Sequence, residues 1–241
     1  MPSIYGAPTN ASVGLGRKIQ SADANTNTNA SVNHCKRPPV IHNTVDYYLA
    51  PQSPWAYLGH QRFADIARAA SARINVLPVD IGGKVFPVSG GLPLAQRAPQ
   101  RQAYRLLELA RFSDHLGMAL NLHPKFFPVN GDDASRLVIA VDMHEGSDAA
   151  MALAAAVLRA VWAEQRNIAD TGELAAMLAA CGLPAARLDD SQSVAVRQRY
   201  EANAQRAVEA GVFGAPSFVI DGELFWGQDR LDFVQRRLAQ G

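Results

Sequence analysis

An α/β fold in which a helical block separates two strand-bearing halves is predicted by three observations. The first is a β-α-β pattern near residue 45. Val45 to Ala50 (VDYYLA) is rich in strand-favouring residues and breaks at Pro51-Gln52-Ser53-Pro54. Pro54 suits the first turn of a helix, and Trp55, Leu58, Phe63, Ile66 and Ala70 then recur at helical spacing. A second strand, Arg73 to Val79, completes the unit, whose crossover is expected to be right-handed. The second observation is a run of helical segments. The third is a terminal β-β-α pattern, with Ser217–Ile220 and Glu223–Trp226 flanking Asp221-Gly222, a two-residue hairpin signal.

The middle of the chain justifies the helical block. Gln100 to Leu116 carries Ala103, Leu106, Leu107 and Ala110 at helical spacing, and Gly117 is placed to end it. Further helices are expected near 133–145, 148–166, 171–181 and 189–210, with Gly146, Gly182 and Gly211 marking three ends. A last helix is expected over Asp229 to Ala239. This order is that of a thioredoxin-like fold with a helical domain inserted between its β-α-β and β-β-α halves. The expected boundaries are 44–82 with 205–241 for the thioredoxin-like domain and 83–204 for the insertion. Residues 1–43 read as a disordered or loosely attached extension, because Ser21 to Asn33 is small, polar and offers nothing to bury.

Composition narrows the function. Of the 241 residues 48% are hydrophobic and 19% charged, so a buried core is available. A net charge of +1 gives no electrostatic case for nucleic acid or an anionic membrane surface. The Ala-rich stretch from Met151 to Ala163 is too short to span a bilayer. The two cysteines, Cys35 and Cys181, form no C-x-x-C pair, which points to a reducing, cytoplasmic setting. The six histidines make no i,i+4 pair, so no metal site is expected. His60, on the first helix, reads as a surface residue.

Three short segments carry chemistry. Ser53 stands where a strand passes into a helix, and amides at such a terminus stabilise an anion or a thiolate. Its hydroxyl can donate to a thiolate that a cofactor brings, although an ordinary N-cap also accounts for a serine there. Pro216, before the third strand, is where this fold needs a cis proline; it would turn the backbone of Ala215 toward an extended peptide-like ligand such as glutathione. A trans proline opening an edge strand is the plainer alternative. Asp229, with Gln228, could bind an α-ammonium group, or simply cap the last helix. Among other candidates, Lys125 in the His123–Phe127 loop is placed to meet a substrate carboxylate, with Arg97 and Arg101 behind it. Trp55 and Tyr57 could line an aromatic pocket. Gly82-Gly83-Lys84 lacks the Walker spacing of a phosphate loop.

From Val45 onward the chain resembles the 2-hydroxychromene-2-carboxylate isomerases, relatives of kappa-class glutathione transferases within a DsbA-like group. The resemblance rests on DYYLAPQSPWAYLG, GGLPLAQRAPQRQAYRLLEL, NLHPKFFP and GVFGAPSFVIDGELFWGQDRL. It implies that Ser53 faces the glutathione sulfur, that Ala215 binds its cysteinyl backbone, and that Gln228 and Asp229 hold its γ-glutamyl end. It further implies a small aromatic carboxylate as substrate and a homodimer. One departure is Ser89-Gly90-Gly91, where kappa-class relatives tend to carry Ser-Gly-Asn. The alternatives are a kappa-like glutathione transferase and a non-catalytic DsbA-like peptide-binding protein.

Overall fold

The computed structural model describes residues 44–240, so the proposed extension over 1–43 lies outside the described residues. Strand β1 (Thr44–Leu49) lies between β2 (Arg73–Pro78), parallel to it, and β3 (Ser217–Ile220), antiparallel. Strand β4 (Glu223–Trp226) completes the sheet in the order β2-β1-β3-β4. Between β3 and β4, Asp221 and Gly222 take φ of 49° and 82°, the positive values that a tight hairpin turn requires.

Side chains alternate along β1 and so build a core on each face of the sheet. Val45, Tyr47 and Leu49 face one side, with Phe63 and Ala67 of helix α1 (Pro54–Ala69). Tyr48 and Ala50 face the other, with Leu77, Val85 and Ala204. On the first side Tyr47 stacks on Phe218, centroids 5.3 Å apart and nearly parallel, while Phe63 lies 4.5 Å from Phe218.

The chain between β2 and β3 supplies most of the covering helices. A π-helical turn (Ile81–Val85) and helix α2 (Phe86–Ser89) follow β2, in a region for which the sequence suggests no element. Asp80 accepts a hydrogen bond from the Gly83 amide at 2.7 Å, so a carboxylate occupies the Gly82-Gly83-Lys84 turn. Helices α3 (Pro99–Leu116), α4 (Asp132–Glu145), α5 (Ser147–Trp162) and α6 (Thr171–Ala180) come next. The single helix expected over 189–210 is broken into α7 (Arg187–Asp190) and α8 (Val194–Glu209). Ser193 causes the restart: its hydroxyl accepts from the Val196 amide and caps the new helix. Helix α9 (Leu231–Leu238) closes the fold against the same face as α1.

His60 is buried, with 4% of its surface exposed, and corrects the surface reading. Ala56, His60, Phe63 and Ala67 share the inward face of α1 at helical spacing. The Met151 carbonyl can only accept, so His60 Nε2–H donates to it (3.0 Å) and Nδ1 accepts from the Tyr47 hydroxyl (3.1 Å). Burial pulls the imidazole pKa down to about 4, partly opposed by the Met151 bond. The unfolded chain therefore takes up a proton from about pH 6.5 downward, while the folded protein resists it until about pH 4. Stability should fall as pH drops through that window, by about 3 kcal/mol once pH lies below it. Urea midpoints measured from pH 7.5 to 4.5 should decline more steeply for the wild type than for His60→Gln, which keeps a donor and an acceptor but no titration.

Candidate active site

The site forms where the two halves of the sheet meet the start of α1. Ser53 has extended backbone angles and its hydroxyl accepts from the Ala56 amide at 3.2 Å, the bond of a helix cap. The same hydroxyl donates its single proton to the Ala215 carbonyl, also at 3.2 Å. Ser53 and Ala215, far apart in sequence, therefore meet at one point. The Ala215–Pro216 bond is cis, and so is Phe127–Pro128, which the sequence did not suggest. The Pro216 carbonyl accepts from the Gly227 amide at 2.9 Å, which ties the segment after β4 to the same turn.

That segment is a short 3₁₀ turn, Gln228–Arg230, packed on α1. Gly59 makes the approach possible: a Cβ there would stand 2.7 Å from Gln228 Cβ and 3.3 Å from its Cα. Gln228 is buried; its side-chain oxygen accepts from Arg62 at 2.9 Å, and its Nε2 has no partner among the described residues. Asp229, more exposed, pairs with Arg230 at 2.6 Å. Its carboxylate folds over Gly227, whose φ of 102° favours glycine.

These groups open onto a cavity of about 620 Å³. Of the residues singled out from the sequence, Trp55, Ala215, Gln228 and Asp229 line it, as do Arg97 and Arg101. Ser53 and Pro216 adjoin it through Ala215. Tyr57 and Lys125 are not brought to it. The Tyr57 hydroxyl donates to the Ala119 carbonyl at 2.7 Å, and exposed Lys125 lies over its neighbour Phe126. The Ser89–Gly91 loop does not line it either.

Helix α3 forms the opposite wall, and here the sequence reading misses both a face and a residue. Its apolar spacing suggested that Ala103, Leu106, Leu107 and Ala110 would be covered, yet Leu107 is 55% exposed and only Leu109 is buried. The helix rests on α1 and turns Arg101, Arg105, Glu108 and Phe112 toward the cavity. Arg105 was not singled out, although it continues the four-residue spacing of Arg97 and Arg101. Its guanidinium lies 5.4 Å from the ring centre of Phe127 and 5.7 Å from that of Trp162. At the other end Phe112 meets Trp55 edge to face at 6.1 Å. Of the two cysteines, Cys181 caps the end of α6, Cys35 lies outside the described residues, and position 53 carries serine.

The chain is similar in sequence and fold to several known proteins. A 2-hydroxychromene-2-carboxylate isomerase of Sphingobium xenophagum is 28% identical over 196 residues, covering 81% of this chain and 97% of that protein. One from Pseudomonas putida is 27% identical over 200 residues, covering 81% and 94%. Among solved structures, a 2-hydroxychromene-2-carboxylate isomerase aligns with a TM-score of 0.68 at 25% identity, over 82% of this chain and 95% of that one. The cytosolic disulfide reductase DsbM of Pseudomonas aeruginosa, solved with glutathione, aligns at 0.59 and 18% identity, over 81% and 99%, a likeness of fold. Residues 44–239 match the model of the DSBA-like thioredoxin domain, and the chain belongs to that family.

Proposed function

We propose that this protein is a glutathione-dependent isomerase that interconverts 2-hydroxychromene-2-carboxylate and trans-o-hydroxybenzylidenepyruvate. The observation that carries the reading is the meeting of the Ser53 hydroxyl with the Ala215 carbonyl at the head of α1, beside a cavity with an arginine-bearing wall. The names of the relatives point to the same reaction, and the fold accommodates glutathione in the bacterial reductase.

The residues fit the cofactor. Gln228 Nε2 is a buried donor still to be satisfied, and a γ-glutamyl carboxylate is a matching acceptor. Asp229 would hold the γ-glutamyl ammonium by exchanging its exposed partner Arg230. Ala215 would pair with the cysteinyl backbone, as Pro216 orients it. Bound there, glutathione would supply a nucleophilic thiolate for reversible addition to the conjugated system of the substrate. The protein's part is to make that thiolate available at neutral pH. Ser53 would donate its proton to the sulfur in place of the Ala215 carbonyl, and the N-terminus of α1 adds a favourable dipole of about 0.3–1 kcal/mol. Holding both reactants in one cavity removes several kcal/mol of barrier. With serine at position 53, the site has no thiol of its own among the described residues, which favours isomerisation over disulfide exchange.

The test follows the absorbance of 2-hydroxychromene-2-carboxylate with and without glutathione. Glutathione-dependent conversion with no accumulating conjugate is the expected result. Accumulating conjugate would replace the reading with that of a glutathione transferase, and no acceleration by folded protein would overturn it.

A further inference from the structure

We propose that Arg105, which lies over the packed rings of Phe127 and Trp162 with Arg97 and Arg101 beside it, receives the carboxylate of the aromatic substrate. The inference rests on the function proposed above but concerns a residue outside the glutathione-holding set.

The cavity wall carries more positive charge than it neutralises. Arg97, Arg101 and Arg105 all line it, and none has a carboxylate partner among the described residues. The two acids of the lining already have partners: Glu108 pairs with Arg111 at 2.9 Å and Asp229 with Arg230, also of the lining, at 2.6 Å. Arg97 spends its Nε on the Leu92 carbonyl at 2.9 Å. Arg105 is only partly exposed and packs on Trp162, itself fully buried, so it is held against the core rather than swinging in solvent. A guanidinium withdrawn from water beside two like charges is costly unless an anion joins it. Burial, and then the charge of Arg97, pull its pKa down to about 10, which still leaves it charged at neutral pH. Packing against this aromatic pair restrains its planar fork, the shape that matches a carboxylate with two parallel hydrogen bonds.

The cavity also has a direction. Phe112 follows Arg105 by seven residues, about 10 Å along the helix axis, and pairs with Trp55, two residues beyond Ser53. A flat aromatic acid would lay its ring toward Trp55 and Phe112 and its carboxylate toward Arg105. This brings its conjugated chain near Ser53 in one orientation only.

Glutathione also carries carboxylates, so the experiment separates the two sources. Calorimetry would titrate 3-(2-hydroxyphenyl)propanoate, a saturated acid that cannot accept a thiol, and its carboxamide into wild type, Arg105→Gln and Arg105→Lys. Glutathione would be titrated separately into each. The wild type should bind the acid, and Arg105→Gln should weaken it by about 10-fold or more, the worth of a lost charge-assisted bond. Arg105→Lys, which keeps the charge without the fork, should fall between them and guards against a folding defect in the glutamine variant. The carboxamide should not distinguish the three proteins, and glutathione affinity should stay within about threefold. No binding of the acid to wild type, or equal binding to all three, would overturn the proposal. So would a parallel loss of glutathione affinity, which would assign Arg105 to the cofactor's own carboxylate. Because no turnover is involved, these outcomes stand whether or not the chromene acid is isomerised.

Discussion

Ser53→Ala is expected to bind glutathione within a few-fold of wild type and to lose about 100-fold in kcat, the scale of removing one hydrogen-bond donor from a developing or resident anion. The argument turns on how one hydroxyl is used. Ser53 accepts from the Ala56 amide and gives its proton to the Ala215 carbonyl. The first bond is structural, because it caps α1, and its loss costs about 1 kcal/mol of stability. The second points the proton at the place where a ligand paired with Ala215 would present its sulfur, and alanine has no donor for it. The two effects separate with Ser193→Ala, which deletes the equivalent cap bond to Val196 on α8, away from the cavity. Both variants should unfold at similarly lower denaturant concentration, and only Ser53→Ala should lose turnover. The thiol of bound glutathione, titrated by ultraviolet absorbance, should also ionise at higher pH in Ser53→Ala. If turnover fell equally in both variants, Ser53 would be a cap and nothing more.

The features that were legible in the sequence are those written in neighbouring residues. Ser53 followed by Pro54 marks a helix start, Asp221-Gly222 a hairpin, and Pro216 before a strand a fixed turn; each depends on the chain within a few positions. What was hidden depends on partners distant in sequence. His60 reads as polar and therefore exposed, but its two ring nitrogens find Tyr47 and the Met151 carbonyl, which makes burial tolerable. The break before α8 looks like continuous helix because Ser191, Gln192 and Ser193 are all permitted inside one, until Ser193 turns its hydroxyl to a cap. On α3 the apolar spacing was real but misled, because the helix leans on the body through Leu109 and lends its charged side to the cavity. Lys125 and Arg105 show how little the neighbours in sequence say: both are cations beside aromatic rings, but only Arg105 lines the cavity. The site's backbone end was thus readable and its far wall was not.

Gly59→Ala should lower glutathione affinity by about 10-fold or more while leaving Ser53 and its cap in place. Alanine is the better helix former, by about 1 kcal/mol in an exposed helix, so propensity alone predicts a more stable protein. Geometry decides the other way. The new methyl would stand 2.7 Å from Gln228 Cβ and 3.3 Å from Gln228 Cα, and neither is the free end of a flexible side chain. The 3₁₀ turn must therefore move as a unit, and overpacking of this kind costs about 1–3 kcal/mol. Its movement carries Gln228 away from Arg62 and shifts Asp229 at the rim of the cavity. These two side chains are the proposed grip on the γ-glutamyl group, so binding should suffer more than folding does. Calorimetric titration of glutathione, read beside a urea unfolding curve, distinguishes the cases. A weaker complex with a modest loss of stability is the expected pair. Unchanged affinity in a folded variant would mean that Gln228 and Asp229 tolerate displacement, and the γ-glutamyl end would have to be held elsewhere.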